Sequence, residues 1–200
     1  MLRIILLLSL CIYLYANNEK RCIVPDILLQ TIKLTENSKD YPYYIRTNEN
    51  STLKKFNTIV SKYQYKKTDD NMLIDCISID NCIKISSELI SNNIKNLDLG
   101  LFQINYKSFK YPIYSYFNEN KSYVNACEVI EEKIKMNKNK WSWEVLASYH
   151  SMTPKYNKIY KEKLIKNYKK LTQKYKEIDV RANDEYVKIE KYINDSLVMY

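Results

Sequence analysis

Glycine is almost absent from this chain, so the one position that carries it is a strong constraint on the backbone. Gly100 is the only glycine among 200 residues, whereas average composition gives a chain of this length about a dozen. The abundance of Lys, Asn, Ile and Tyr is typical of an A/T-rich coding sequence. A glycine kept against that bias indicates a backbone requirement, which is either a positive φ angle or the close approach of another segment or ligand.

Length and charge limit the class of protein. The length favours one domain with a short appendage, and 46% apolar residues are enough for a hydrophobic core. A net charge of +9 suits nucleic acid, an anionic membrane surface or an acidic polymer. The basic residues are spread along the chain and concentrate only near the C-terminus, and no zinc finger or basic zipper is visible. We therefore do not expect nucleic acid as a partner.

The N-terminus has the layout of a secretory signal peptide. Arg3 precedes an apolar run that ends at about Leu14, which is too short for a comfortable membrane span. We expect residues 1–16 to be removed by cleavage after Ala16. Two alternatives remain open, a lipid-anchored Cys11 and an uncleaved anchor. We expect the protein to contact a membrane only through such a lipidated or uncleaved N-terminus.

Four cysteines follow the leader, at positions 22, 76, 82 and 127. An even number in an exported chain indicates two disulfides, with three possible pairings. Cys76 and Cys82 are near enough to close a small loop. That choice leaves Cys22 with Cys127, a bond worth roughly 4–5 kcal/mol in the chain-entropy model. The spacing is not CxxC and His150 is far from the cysteines in sequence, so we expect no metal site.

Hydrophobic periodicity predicts a mainly α (α+β) fold. Residues 38–70 lack helical spacing and contain Tyr41-Pro42 and the turn-forming NENST, so we expect irregular structure with a short hairpin there. Helices are expected over 24–37, 82–94, 121–138, 141–152 and from 155 onward.

Glu36 occupies an unusual place on the first of these helices. Leu28, Leu29 and Ile32 form an apolar stripe, and Glu36 lies four residues after Ile32 on the same face. A carboxylate on the core-facing side is rare. One interpretation is a frayed terminal Glu that reaches water, and the pattern alone favours it. The other is a half-buried carboxyl with a raised pKa that serves as a general acid.

Three stretches in order carry a family resemblance: PDILLQTIKLTEN (25–37), DLGLFQIN (98–105) and SYHSMTP (148–154). Together they resemble the motifs of lytic transglycosylases, in particular the small periplasmic members associated with secretion and conjugation systems. The likeness covers about residues 22–168. Asn37 stands where the family usually has Ser, and Phe102 where it usually has Met.

The resemblance implies an architecture and a location. It implies a lysozyme-like domain over residues 17–168, with a small hairpin or loop element, and a helical or partly disordered basic tail over 169–200. It also implies a periplasmic protein whose partners are peptidoglycan glycan strands and components of a secretion or conjugation machine. Cysteines at similar places in such proteins support the Cys22–Cys127 pairing.

The resemblance also implies a reaction, cleavage of the β-1,4 bond between N-acetylmuramic acid and N-acetylglucosamine with formation of a 1,6-anhydro end. Glu36 would be both acid and base, with no cofactor. Gln103 and Tyr149 would hold the sugar or orient Glu36. His150 would lie at a helix end or cleft rim rather than act in catalysis.

Further positions receive supporting roles from the same likeness. Phe102, Asn105 and Asn37 are expected to contact substrate, whereas Gly100 and Asp98 are expected to be structural. Gly100 would let the chain turn tightly beside the cleft, where a side chain would strain φ or intrude on the glycan. Two alternatives remain: a catalytically silent glycan-binding assembly factor, and a lysozyme-type hydrolase that uses Asp98 as second carboxylate.

Overall fold

A computed structural model describes residues 22–37 and 41–179. The expected signal peptide, Cys11 and the end of the tail from residue 180 lie outside these residues. Within them, no helix combines the length and the apolar character needed to cross a bilayer.

The described chain is mainly helical with one small sheet. Seven α-helices are present in this part of the chain: α1 Asp26–Glu36, α2 Leu53–Val60, α3 Ile79–Ser91, α4 Ile113–Phe117, α5 Glu119–Met136, α6 Trp143–Ala147 and α7 Pro154–Asp179. A 3-10 turn, Asn50–Thr52, precedes α2. The mixed α+β class with a helical majority is therefore as expected.

The sheet has five short antiparallel strands in the order β2-β3-β1-β4-β5. Their bounds are β1 Tyr44–Thr47, β2 Lys66–Lys67, β3 Leu73–Asp75, β4 Leu97–Leu99 and β5 Ile104–Asn105. The pairing of β1 with β4 sets Arg46 opposite Asp98, and the pairing of β4 with β5 sets Asp98 opposite Asn105. Asp98 is therefore on a central strand, between two polar neighbours.

One hydrophobic core joins the sheet to the helices. Leu28 and Ile32 of α1 are buried in it, as are Leu89 of α3 and Leu164 of α7. The long helix α7 packs on α1 and α6. This packing brings the end of the first described helix against the last one, although they are far apart in sequence.

Two disulfides fasten this core. Cys22 is bonded to Cys127 and Cys76 to Cys82, with Cα–Cα distances of 5.9 Å and 5.1 Å. This is the pairing expected above. Disulfides form and persist in oxidising compartments, so they indicate an extracytoplasmic location.

Several helix predictions need correction. Helix α2 lies inside the segment expected to be irregular, and its buried Phe56, Ile59 and Val60 have the 3–4 spacing that identifies it. The hairpin is present, but it pairs Lys66–Lys67 with Ile74–Asp75 and so reaches past residue 70. The helix predicted over 141–152 is only Trp143–Ala147, because the chain then turns through residues 148–150.

The predicted start of the tail falls inside a helix. Helix α7 runs without a break through position 168 to Asp179. The first part of the expected tail is therefore helical and continuous with a helix that contributes to the core.

Candidate functional site

Glu36 is the last residue of α1, and its side chain is largely enclosed. Only 13% of the side chain is exposed. Its Oε1 accepts a hydrogen bond of 2.6 Å from the hydroxyl of Tyr160 on α7. The Nδ1 of His150 lies 3.8 Å from the same oxygen. A frayed terminal glutamate would have no such partners. The position of Glu36 is therefore that of a half-buried carboxyl group and not that of a frayed helix end.

Tyr160 and His150 form one layer beside the carboxyl. Their rings are stacked, with centroids 4.7 Å apart and planes at 8°. Tyr160 is buried, and burial together with the nearby Glu36 raises its pKa well above the usual phenol range. The phenol therefore stays protonated and remains a hydrogen-bond donor to Glu36.

The second motif forms the connection between β4 and β5, and Gly100 opens it. Gly100 has φ +74°, and its N–H donates to the carbonyl of Tyr44 at 2.9 Å. A Cβ at this position would lie 1.8 Å from the carbonyl oxygen of Tyr116. Both backbone requirements expected of this glycine are present. The neighbour that excludes a side chain is the backbone of α4, however, and not a glycan in the cleft.

Gln103 and Tyr149 are both anchored to this connection. Gln103 has a left-handed backbone at φ +47°, and its Nε2 donates to the carbonyl of Gly100 at 2.8 Å. The Tyr149 hydroxyl donates to the carbonyl of Phe102 at 2.8 Å. Burial raises the pKa of Tyr149 well above its usual range. These bonds hold the third motif against the second.

Asp98 and Asn105 brace the two strands that carry the connection. Asn105 Nδ2 donates to Oδ1 of Asp98 at 2.8 Å and to Oδ1 of Asn96 at 2.9 Å. Its own Oδ1 accepts from the Ser108 N–H at 3.1 Å. Burial raises the pKa of Asp98. The geometry is that of a rigid polar support.

These residues surround one cleft of about 480 Å³. Glu36, Asp98, Gln103, Asn105 and Tyr149, which come from all three motifs, line it. His150 lines it too, from the turn after α6, as expected of a cleft-rim residue. Other lining residues were not singled out from the sequence, among them Asn48, Asn96, Lys107, Ser108, Phe109 and Lys133. A cleft of this size and polarity can take a small polar ligand or part of a polymer.

Two residues expected to contact substrate do not line this cleft. Phe102 is 0% exposed, and its ring packs edge-on against Tyr123 with centroids 4.8 Å apart. Asn37 is 5% exposed, and its side chain donates to the carbonyl of Tyr41. Both residues support the cleft without lining it. Phe102 packs in the core, and Asn37 connects the end of α1 to the segment before β1.

Tyr160 is the principal site residue that the sequence analysis missed. It lies four residues before the buried Leu164, on the same face of α7 and one turn earlier. That spacing predicts burial. It does not predict the contact with Glu36, because the two residues are 124 positions apart.

No metal-binding arrangement stands out in the described part of the chain. The one cluster of potential ligands there is formed by Cys22, Cys127 and Glu131. Its two sulfurs are joined in a disulfide, so they offer no thiolate to a metal.

Comparison of the chain with protein-family models, curated proteins and solved structures gives no match. The functional assignment therefore rests on the three motifs and on the geometry of the cleft.

Proposed function

We propose that the protein is a lytic transglycosylase of lysozyme-like fold that cleaves peptidoglycan in the periplasm. One observation carries the proposal: Glu36, Gln103 and Tyr149, taken from three motifs far apart in sequence, line a single cleft. The biological role would be to open the wall locally for a secretion or conjugation machine.

The proposed chemistry needs a single carboxyl group. Glu36 protonates the glycosidic oxygen between N-acetylmuramic acid and N-acetylglucosamine, and the acetamido group of the substrate stabilises the oxocarbenium-like centre. The resulting carboxylate then removes the proton from the muramoyl 6-hydroxyl, which closes onto the anomeric carbon. The product is a 1,6-anhydro end, and Glu36 is protonated again for the next cycle.

Tyr160 supports these two proton transfers. Its hydroxyl donates to Oε1 of Glu36, which fixes the orientation of the carboxyl group. We assign proton transfer to the other oxygen, Oε2. The amide of Gln103 and the polar groups around it supply donors and acceptors for sugar hydroxyls, and the enclosed site limits competing attack by water.

The test is a digest of purified peptidoglycan with soluble products identified by mass spectrometry. The wild-type protein should release anhydro-muropeptides. Glu36→Gln keeps the size of the side chain but removes the transferable proton, and should lower the rate by about 10²–10⁴-fold. Glu162→Gln, an exposed glutamate on α7, is the matched control and should retain the rate. An undiminished rate in Glu36→Gln would refute the proposal.

A lysozyme-type hydrolase is the second candidate, because Asp98 lines the same cleft as Glu36. In that mechanism Asp98 would be the second carboxylate and the products would carry reducing ends. The hydrogen bond from Asn105 to Asp98 favours a bracing role. Asp98→Asn should therefore change the amount of product but leave the anhydro end intact, whereas a hydrolase would lose its activity. A catalytically silent binder would release no products with either variant.

A further inference from the structure

We propose that His150 is a positioning residue for Glu36: its protonated imidazole pairs with the carboxyl group, so that the charge of His150 sets the pH range of activity at this cleft. The basis is geometric. Nδ1 of His150 lies 3.8 Å from Oε1 of Glu36, an ion-pair distance. The imidazole is held there by stacking on Tyr160, whose hydroxyl bonds the same oxygen. The consequence for catalysis rests on the proposed function, whereas the pair itself does not.

The charged groups around the imidazole favour its protonated form. Glu36 faces it from α1 and Asp98 from β4, and both carboxyl groups raise the pKa of His150, while Lys163 of α7 lowers it. The interaction with Glu36 is the main reason that the pKa of His150 is raised, and partial burial works against it. The side chain of His150 is 51% exposed, so it exchanges protons directly with solvent.

A pair of this kind makes activity depend on the charge of His150. Below the raised pKa of His150, the imidazolium holds the carboxyl group of Glu36 in its orientation. Above that pKa the imidazole is neutral and the ion pair is lost. The reaction rate should therefore fall as the pH rises through the raised pKa of His150.

Removal of His150 leaves Tyr160 as the partner that orients the carboxyl group of Glu36. It should therefore lower the rate at pH values below the raised histidine pKa and abolish the fall in rate above it.

The first test needs no enzymatic activity. The chain has one histidine, so an NMR titration assigns its imidazole signals without ambiguity. The wild-type pKa should exceed the ordinary value of about 6.5, and Glu36→Gln should lower it. Glu162→Gln is the control and should leave it unchanged. Glu36→Ala is a second variant should Glu36→Gln fold poorly. An unchanged histidine pKa in folded Glu36 variants would overturn the pair.

The second test is the pH profile of anhydro-muropeptide release. His150→Phe keeps an aromatic ring over Tyr160 and removes only the titrating group. The wild-type rate should fall as the pH rises through the raised histidine pKa, and the variant should show no fall at that pH. Profiles of the same shape would overturn the catalytic consequence. If Glu36→Gln lowers the histidine pKa but the protein releases no muropeptides, the pair stands and the proposed function fails.

Discussion

Replacement of Gly100 by alanine tests the structural reason for the one glycine in the chain. The position has φ +74°, and a residue with a Cβ pays about 1–2 kcal/mol in this region. The added Cβ would also lie 1.8 Å from the Tyr116 carbonyl oxygen, far inside normal contact. Overpacking of this kind costs about 1–3 kcal/mol. The two effects together predict a loss of about 2–5 kcal/mol in the free energy of unfolding.

Urea and thermal unfolding followed by circular dichroism measure this loss. A domain of this size should lose about 4–20 °C in Tm. Asn93 provides a matched control, because it has φ +67° and is exposed. Asn93→Ala introduces backbone strain without a buried contact and should cost about 1 kcal/mol. If Gly100→Ala destabilised the protein no more than Asn93→Ala does, the reasoning about the Tyr116 backbone would be wrong.

Other perturbations have equally definite outcomes. Replacement of both Cys22 and Cys127 by serine removes a bridge that spans 105 positions. It should lower the free energy of unfolding by about 5 kcal/mol. The same replacement at Cys76 and Cys82, whose bridge spans 6 positions, should lower it by about 2 kcal/mol, because the stabilisation grows with loop length. A lower urea midpoint for the Cys76–Cys82 variant than for the Cys22–Cys127 variant would contradict this. Tyr160→Phe removes the hydrogen bond to Glu36 and should slow muropeptide release about tenfold or more, while Tyr156→Phe on the exposed side of α7 should not. Burial raises the pKa of Asp98, so the folded state binds its proton more tightly than the unfolded state and loses that stabilisation as pH rises through the raised value. Asp98→Asn should therefore gain stability relative to wild type as the pH rises above the ordinary aspartate pKa of about 4, and a difference independent of pH would refute the burial argument.

The local signals in the sequence predicted local structure well. The stripe through Leu28 and Ile32 located α1, and the observed helix, Asp26–Glu36, begins and ends within two residues of the prediction. Close spacing also identified the Cys76–Cys82 bridge. Helix α2 carried a comparable signal in Phe56 and Ile59, but its eight residues are short and the turn-forming NENST before it obscured the pattern.

The local sequence pattern does not predict the environment of Glu36. Periodicity placed Glu36 on the core-facing side of α1 but favoured a frayed end. Its enclosure depends on Tyr160, which packing brings to it from the opposite end of the described chain. Only the tertiary arrangement of α1 against α7 makes that contact, and no spacing within either helix predicts it.

The motif residues show a similar limit. Membership in a motif did not reveal which side of the backbone each side chain would take. Within DLGLFQIN, Gln103 lines the cleft while its neighbour Phe102 is fully buried. The positive φ angles at Gly100 and Gln103 determine this division, and the sequence indicated the need for such an angle only at the glycine.

In the proposed reaction one carboxyl group, Glu36, performs both proton transfers without attack by external water. The most direct measurement is a digest of peptidoglycan in water labelled with heavy oxygen, with the new chain ends analysed by mass spectrometry. Intramolecular closure by the muramoyl 6-hydroxyl should give unlabelled anhydro ends, each lighter by one water than a reducing end. Heavy oxygen at newly formed reducing ends would contradict it.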